Sequence, residues 1–230
     1  MIDKRTIRTG LLWSLFVVAV MFAVSLWALG KLPAGSLIPV HFGPDGTPDR
    51  YGSRFEGLFL MPLITMGVGL LFAVLPKIEP RRTNLLQSHK AFVAFWVVIL
   101  MVLAGVHGAT IGNAVGYDVN VTIIVLVLVG AMFMVIGNFL GKIKSNFTMG
   151  IRTPWTLTSN LSWNKTHRLV GKLFVVLGAL MIVGGFLAQP IVMVWLVIGG
   201  SIGTIAVALP YSYIVWRSDP ERSTQGREEE

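Results

Sequence analysis

The sequence contains no cysteine, which excludes disulfides, thiol nucleophiles and cysteine-based metal sites. Charge is scarce. Only 13% of the 230 residues are Asp, Glu, Lys or Arg, against about 25% in ordinary soluble domains. Acids are the scarcer sign, 11 against 19 basic residues. Histidine occurs four times, at His41, His89, His107 and His167, each in a different loop or apolar run. That scatter leaves no pair of histidines at helical metal-ligand spacing. No carboxylate pair is placed inside an apolar run for acid–base work either, so no enzyme activity and no cofactor is expected. What the chain has in abundance is apolar surface, 54% of its residues. One soluble core cannot hide that much from water, whereas a lipid-embedded chain has no need to.

Six runs are long enough to cross a hydrocarbon core as helices, the structure that bonds every backbone polar group internally. They are Leu11 to Leu29, Leu58 to Leu75, Ala91 to Ile111, Val121 to Leu140, Leu173 to Ala188 and Ile191 to Val215, and none contains Asp, Glu, Lys or Arg. The first run follows Lys4, Arg5 and Arg8, as a signal peptide would. Its 19 residues exceed the apolar core of about 7–15 residues of such signals, so it is expected to stay as an anchor. The predicted fold is an all-α membrane bundle of about six helices. Residues 1–218 form the transmembrane domain, with an outer loop at 31–57 and an inner loop at 141–172. Residues 219–230 form an acidic cytoplasmic tail, expected to be disordered.

Basic residues in short flanks set direction. Placing both termini and the even-numbered loops inside puts 16 of the 19 Lys and Arg in the cytoplasm and 3 outside. The inner loop alone holds six (Lys142, Lys144, Arg152, Lys165, Arg168, Lys172) and no acid. Cations confined to membrane flanks face anionic lipid, and no nucleic-acid-binding signature accompanies them, so no direct nucleic-acid contact is expected. Helix packing is expected to use small residues, with Gly112/Gly116, Gly137/Gly141 and Gly199/Gly203 as close-approach pairs.

Two polar segments exceed the usual connector length. In the outer one, Pro39-Val40-His41-Phe42 reads as extended chain, and Pro44-Asp45-Gly46 and Pro48-Asp49 read as turns. It forms a compact cap, with Phe42 and Tyr51 near the headgroups. His41, Asp45 and Asp49 recur every four residues, but Pro44, Gly46 and Pro48 prevent a helix from gathering them on a metal. A hydrogen-bonded turn framework is the expectation, with no metal. In the inner segment Thr153-Pro154 suits a helix start and Thr158 to Asn160 a second one. From there Trp163 and His167 share one face, and Asn164 and Arg168 an adjacent one. An interfacial helix with tryptophans at headgroup level accounts for part of this composition. The crowding of Asn138, Asn146, Thr153, Asn160, Asn164, Thr166 and His167 points further, to a polar pocket at the cytoplasmic mouth.

These segments resemble the SdpI-like immunity protein family. The inner stretch carries the likeness through Asn138, Lys144, Asn146, Gly150, Ile151, Arg152, Thr153, Pro154, Trp155, Trp163, Lys165, Thr166, His167 and Arg168. The outer stretch, from Ile38 through His41 and Asp49 to Ser53, is similar to a domain of unknown function that often precedes it. Gly43 departs from the asparagine expected there. The resemblance implies a multi-pass protein of the bacterial cytoplasmic membrane that protects its cell from a secreted peptide toxin. It also implies signalling, in which the toxin-engaged protein holds a transcriptional repressor at the membrane. On that reading His41, Asp45, Asp49, Arg50 and Tyr51 face the toxin. The inner motif, with Trp155 and Trp163 exposed, docks the repressor. A small secondary transporter is the alternative, with His107 as its one ionisable residue within a span; a lone histidine there more commonly bonds between helices. A Ser159 or Ser162 nucleophile with His167 as base lacks an orienting carboxylate.

Overall fold

A computed structural model describes residues 4–43, 47–187 and 190–221. Helix α1 spans Lys4–Leu29, followed by a hairpin of β1 (Ile38–Phe42) and β2 (Pro48–Gly52). Helices α2 (Arg54–Ile78), α3 (Arg82–Gln87), α4 (His89–Ala114) and α5 (Val121–Leu140) come next, then α6 (Pro154–Leu157), α7 (Asn160–Leu187) and α8 (Pro190–Arg217). Six of these helices, α1, α2, α4, α5, α7 and α8, are long and apolar enough to span a membrane. The chain is a multi-pass membrane protein. The spans run past the apolar runs read from sequence, most of all in α7, which begins at Asn160 and shortens the expected loop of 141–172 to 141–159.

The helices pack as two groups, α1–α2–α4 and α5–α7–α8, joined where α4 meets α5. The first group closes on Trp96, which is fully buried and stacks on Phe72 with ring centroids 5.5 Å apart. The Trp96 indole donates to Ser14 of α1 at 3.0 Å. Pro62 lies inside α2 and has no N–H to give the carbonyl of Leu58. The Ser25 hydroxyl of α1 serves that carbonyl instead, at 2.5 Å. His107 Nε2 lies 3.0 Å from Ser25 Oγ. With its proton committed to carbonyls, Ser25 accepts from His107, which therefore ties three helices together as an interhelical hydrogen-bonder.

In the second group α5 and α7 touch backbone to backbone. A Cβ on Gly171 would lie 2.6 Å from the carbonyl oxygen of Gly137, and one on Gly130 would lie 2.7 Å from that of Gly178. These glycines are seven residues apart on each helix, the repeat of a left-handed crossing. The four-residue pairs expected from sequence serve otherwise. Gly199 and Gly203 meet nothing. Gly112 faces Val119, Gly141 faces Arg168, and Gly116, at φ +95°, ends α4 in the left-handed region. Spacing alone did not reveal which faces meet. Gly171→Val should therefore lower bundle stability by about 1–3 kcal/mol through overpacking, while Gly199→Ala, in open space inside a helix, does not lower it. Thermal unfolding of the two variants in detergent checks this, and equal melting would refute the crossing.

Candidate functional site

The hairpin sits on the end of the bundle where α1 finishes and α2 begins. Ile38 is fully buried with Ala28, Leu58 and Ile111, and it docks over Gly57, where a Cβ would meet its side chain. Ser53 caps α2 by accepting from the Glu56 N–H at 3.2 Å. Arg54 donates to the last carbonyl of α1, Leu29, at 2.6 Å. Pro48 was read as a turn residue but opens β2 opposite Phe42, the first strand position, where a missing N–H is tolerated. His41 Nδ1 meets Asp49 Oδ1 at 2.6 Å, with the two side chains 65% and 49% exposed. Arg50 pairs with Glu56 at 2.7 Å, and Tyr51 stands exposed beside them. This is the hydrogen-bonded framework expected of the loop; such exposed pairs contribute about 0–1 kcal/mol each, so their use lies in display. Asp45 lies outside the described residues.

At the opposite, basic end the chain builds a buried polar lattice. Thr153 caps α6 in a reciprocal box: its hydroxyl accepts from the Thr156 N–H at 3.1 Å, and Thr156 Oγ1 accepts from the Thr153 N–H at 2.9 Å. Ser159 starts α7 by accepting from the Ser162 N–H at 2.9 Å. One turn on, Trp163 and His167 stack with ring centroids 4.0 Å apart. The Trp163 indole donates to the Ile143 carbonyl at 2.9 Å. His167 Nδ1 donates to the Trp163 carbonyl at 2.7 Å, and Nε2 accepts the Ile151 N–H at 2.9 Å. Those roles fix the neutral Nδ1–H tautomer. Gly150, at φ +105°, brings the loop so close to His167 Nε2 that a Cβ would collide with it.

The loop before Gly150 is organised by two side chains. Asn146 donates to the Lys144 carbonyl at 2.7 Å and accepts the N–H groups of Thr148 and Met149 at 2.9 Å and 2.7 Å. Glu79, immediately after α2 and 6% exposed, accepts the N–H of Phe147 at 3.0 Å, the Thr148 hydroxyl at 2.5 Å and the N–H of Arg81 at 2.9 Å. Arg81 donates to Ser145 Oγ at 2.5 Å and to the Leu157 carbonyl at 2.9 Å. Asn84 donates to the Ser145 carbonyl at 2.8 Å, and Ser88 accepts the Lys144 N–H at 2.8 Å. The α2–α4 connection thus clamps the loop from one helix group to the other.

The structure therefore gathers Asn146, Gly150, Thr153, Trp163 and His167 in one lattice. Their exposure corrects one expectation: Trp163 is 1% exposed and His167 0%, so neither is available to a partner. The amphipathic reading missed this because the face of α7 carrying Ser162, Trp163, Thr166 and His167 is buried inside the protein, not turned to the headgroups. Thr166 is also buried, its hydroxyl without a hydrogen-bond partner. Arg152, Pro154, Lys165 and Arg168 are exposed, with Arg152 donating to the Phe147 carbonyl. Trp155 is half-buried, edge-on to Tyr213 at 5.2 Å. Asn138 lies apart, exposed on the flank of α5. Ser159 bonds Asp219 and Ser162 donates to the Ser212 carbonyl at 2.8 Å, so neither hydroxyl addresses His167. Asp219, counted with the tail in the sequence, is buried and pins the end of α8 to the start of α7. Glu79 was missed. Its signal was there, the one acid in a loop holding Lys77, Arg81, Arg82 and Lys90.

Both built regions coincide with known families. Residues 142–214 match the SdpI/YfhL protein family and residues 16–66 match a domain of unknown function, DUF1648. The two matches lie in tandem, the DUF1648 match first. It is also similar to "Immunity protein SdpI" of Bacillus subtilis (strain 168), 25% identical over 176 residues that cover 75% of this chain and 80% of the relative. No solved structure matches the chain. The SdpI/YfhL match begins at Lys142, on the polar loop, and runs through α6 and α7 into α8. The DUF1648 match spans the second half of α1, the hairpin and the first half of α2.

Proposed function

We propose that this protein is a bacterial inner-membrane immunity protein that protects its cell against a secreted peptide toxin and reports the encounter to a cytoplasmic repressor. The hairpin lies outside and the basic end inside, as the distribution of Lys and Arg favours. The toxin meets the exposed face made by His41, Asp49, Arg50 and Tyr51. The repressor meets the accessible part of the basic end, the exposed Arg152, Pro154 and Lys165 together with the half-buried Trp155.

One observation carries the reading. Helix α2 starts at the hairpin, where Ser53 and Arg54 fix it, and ends at Glu79, which holds the loop at Phe147 and Thr148. Helix α2 is thus in contact with both surfaces, which makes it the candidate route by which a change at one is felt at the other. Relatedness to a protein named for immunity supplies the activity, and this helix supplies a route between its two surfaces. His107, held by Ser25, serves interhelical packing, which weighs against the transporter alternative.

The test is protection. A sensitive bacterium expressing the protein is challenged with a panel of membrane-active secreted peptides. Protection against at least one is expected, with the double variant H41A/D49A losing most of it while inserting normally. Arg152→Ala should leave protection and lower induction of a repressor-controlled reporter. No protection against any peptide, or equal loss of both readouts in both variants, would sink the proposal.

A further inference from the structure

Three of the six cations of the inner segment converge on one feature of the fold. Asn138 and Lys142 lie one turn apart at the end of α5, and Arg168 and Lys172 lie one turn apart on α7. The two pairs flank a groove of about 740 Å³ lined also by Gly137, Gly141, Gly171, Val175 and Val176. The groove exists because α5 and α7 approach through glycine, which leaves no side chains on its floor. Arg168 leans over it, its Cγ 3.1 Å from where a Gly141 Cβ would be. Lys142 lies against the Phe139 ring, 5.3 Å from the centroid. Among the described residues the side chains of Asn138, Arg168 and Lys172 make no hydrogen bond or ion pair, and Arg168 and Lys172 are exposed. The lower wall, Val175 and Val176, continues into the apolar span.

We infer that this groove is a binding site for an anionic phospholipid, with the phosphate held by Lys142, Arg168, Lys172 and the Asn138 amide and an acyl chain lying along Gly137, Gly171 and Val176. Positive charge at the mouth of an interhelical groove, grading into an apolar wall, is complementary to a lipid whose charge and chains are arranged in that order. General attraction of cations to an anionic leaflet does not account for the arrangement. Lys144, Arg152 and Lys165 lie at the same end and line no part of the groove, which provides an internal control of equal charge.

The experiment uses the full chain, delipidated in a neutral detergent and titrated with phosphatidylglycerol or phosphatidylcholine while bound lipid is counted by native mass spectrometry. Phosphatidylglycerol should bind markedly more tightly than phosphatidylcholine. The variant K142Q/R168Q/K172Q should lose about a hundredfold in that affinity, since each cation near a membrane surface contributes roughly fivefold. The control K144Q/R152Q/K165Q should lose almost none. Val176→Trp keeps all the charges, fills the groove and should also release the lipid; its thermal unfolding reports that the fold is intact. Equal binding of the two lipids, equal loss in the two triple variants, retention by Val176→Trp, or displacement by millimolar inorganic phosphate would each overturn the site.

Discussion

Glu79→Ala is expected to release the loop between α5 and α6 and to abolish whatever the protein does at its basic end. The carboxylate, itself buried, accepts from Phe147 N–H, Thr148 hydroxyl and Arg81 N–H in bonds that are partly shielded from water. Each donor left without an acceptor costs about 1–3 kcal/mol. Because these bonds also join the two helix groups, their loss loosens more than one loop. Glu79→Gln keeps the shape and one good acceptor, but turns its amide N–H toward donors, so an intermediate effect is expected. Hydrogen exchange of the Phe147 and Arg81 amides, the two that donate to this carboxylate, reads the result directly, faster in Glu79→Ala than in Glu79→Gln and slowest in the native chain. Unchanged exchange in Glu79→Ala would show that Asn146 and Arg81 hold the loop without it.

Gly150→Ala should be nearly as damaging, for reasons of backbone rather than charge. A residue with a Cβ at φ +105° stores about 1–3 kcal/mol of strain, and the same Cβ collides with His167 Nε2. Relieving the collision means moving His167 off the Ile151 N–H and out of its stack with Trp163. Pairing the variant with His167→Ala separates the two causes. The double variant removes the collision and keeps the strain, so it should be less than additive in its effect on thermal unfolding in detergent. Strict additivity would mean that Gly150 and His167 do not act on each other. Trp163 fluorescence adds a local report, since loss of the ring stack changes its environment.

The lattice was only partly legible in advance. Capping at Thr153 and Ser159 follows from local chemistry, and the sequence placed both helix starts within a residue or two. Stacking of Trp163 on His167 follows from helical spacing. Their burial does not, because it depends on a loop folding over them, and that loop is held by Glu79, Arg81, Asn84 and Ser88 from 56 to 76 positions away in the chain. Nothing local in a basic connector shows that its single acid accepts backbone amides across the bundle. Asp219 was assigned to a solvated tail for the same reason: charge reads as exposed until a partner, here Ser159, is seen to be placed for it.

The hairpin shows the complementary case. Extended chain at Ile38 to Phe42 followed from proline and β-branched residues, yet Pro48 punctuates a turn as readily as it opens an edge strand, and only pairing with Phe42 decides. The glycines of the helices divide likewise. Their presence predicts close packing. Which of them carries a crossing depends on whether a carbonyl lies opposite, as Gly137 lies opposite Gly171, while Gly199 meets nothing.

By itself the sequence determined that this chain lives in a membrane, with six helical spans, and that charge is segregated to one end. Those outcomes follow from composition summed over long runs and are insensitive to any one contact. The tertiary structure decided which polar side chains are buried together and which face outward, and how one helix joins the hairpin to the loop. Partnership between distant residues is set by where rigid helices bring them, and pairwise distance is information a linear pattern does not contain.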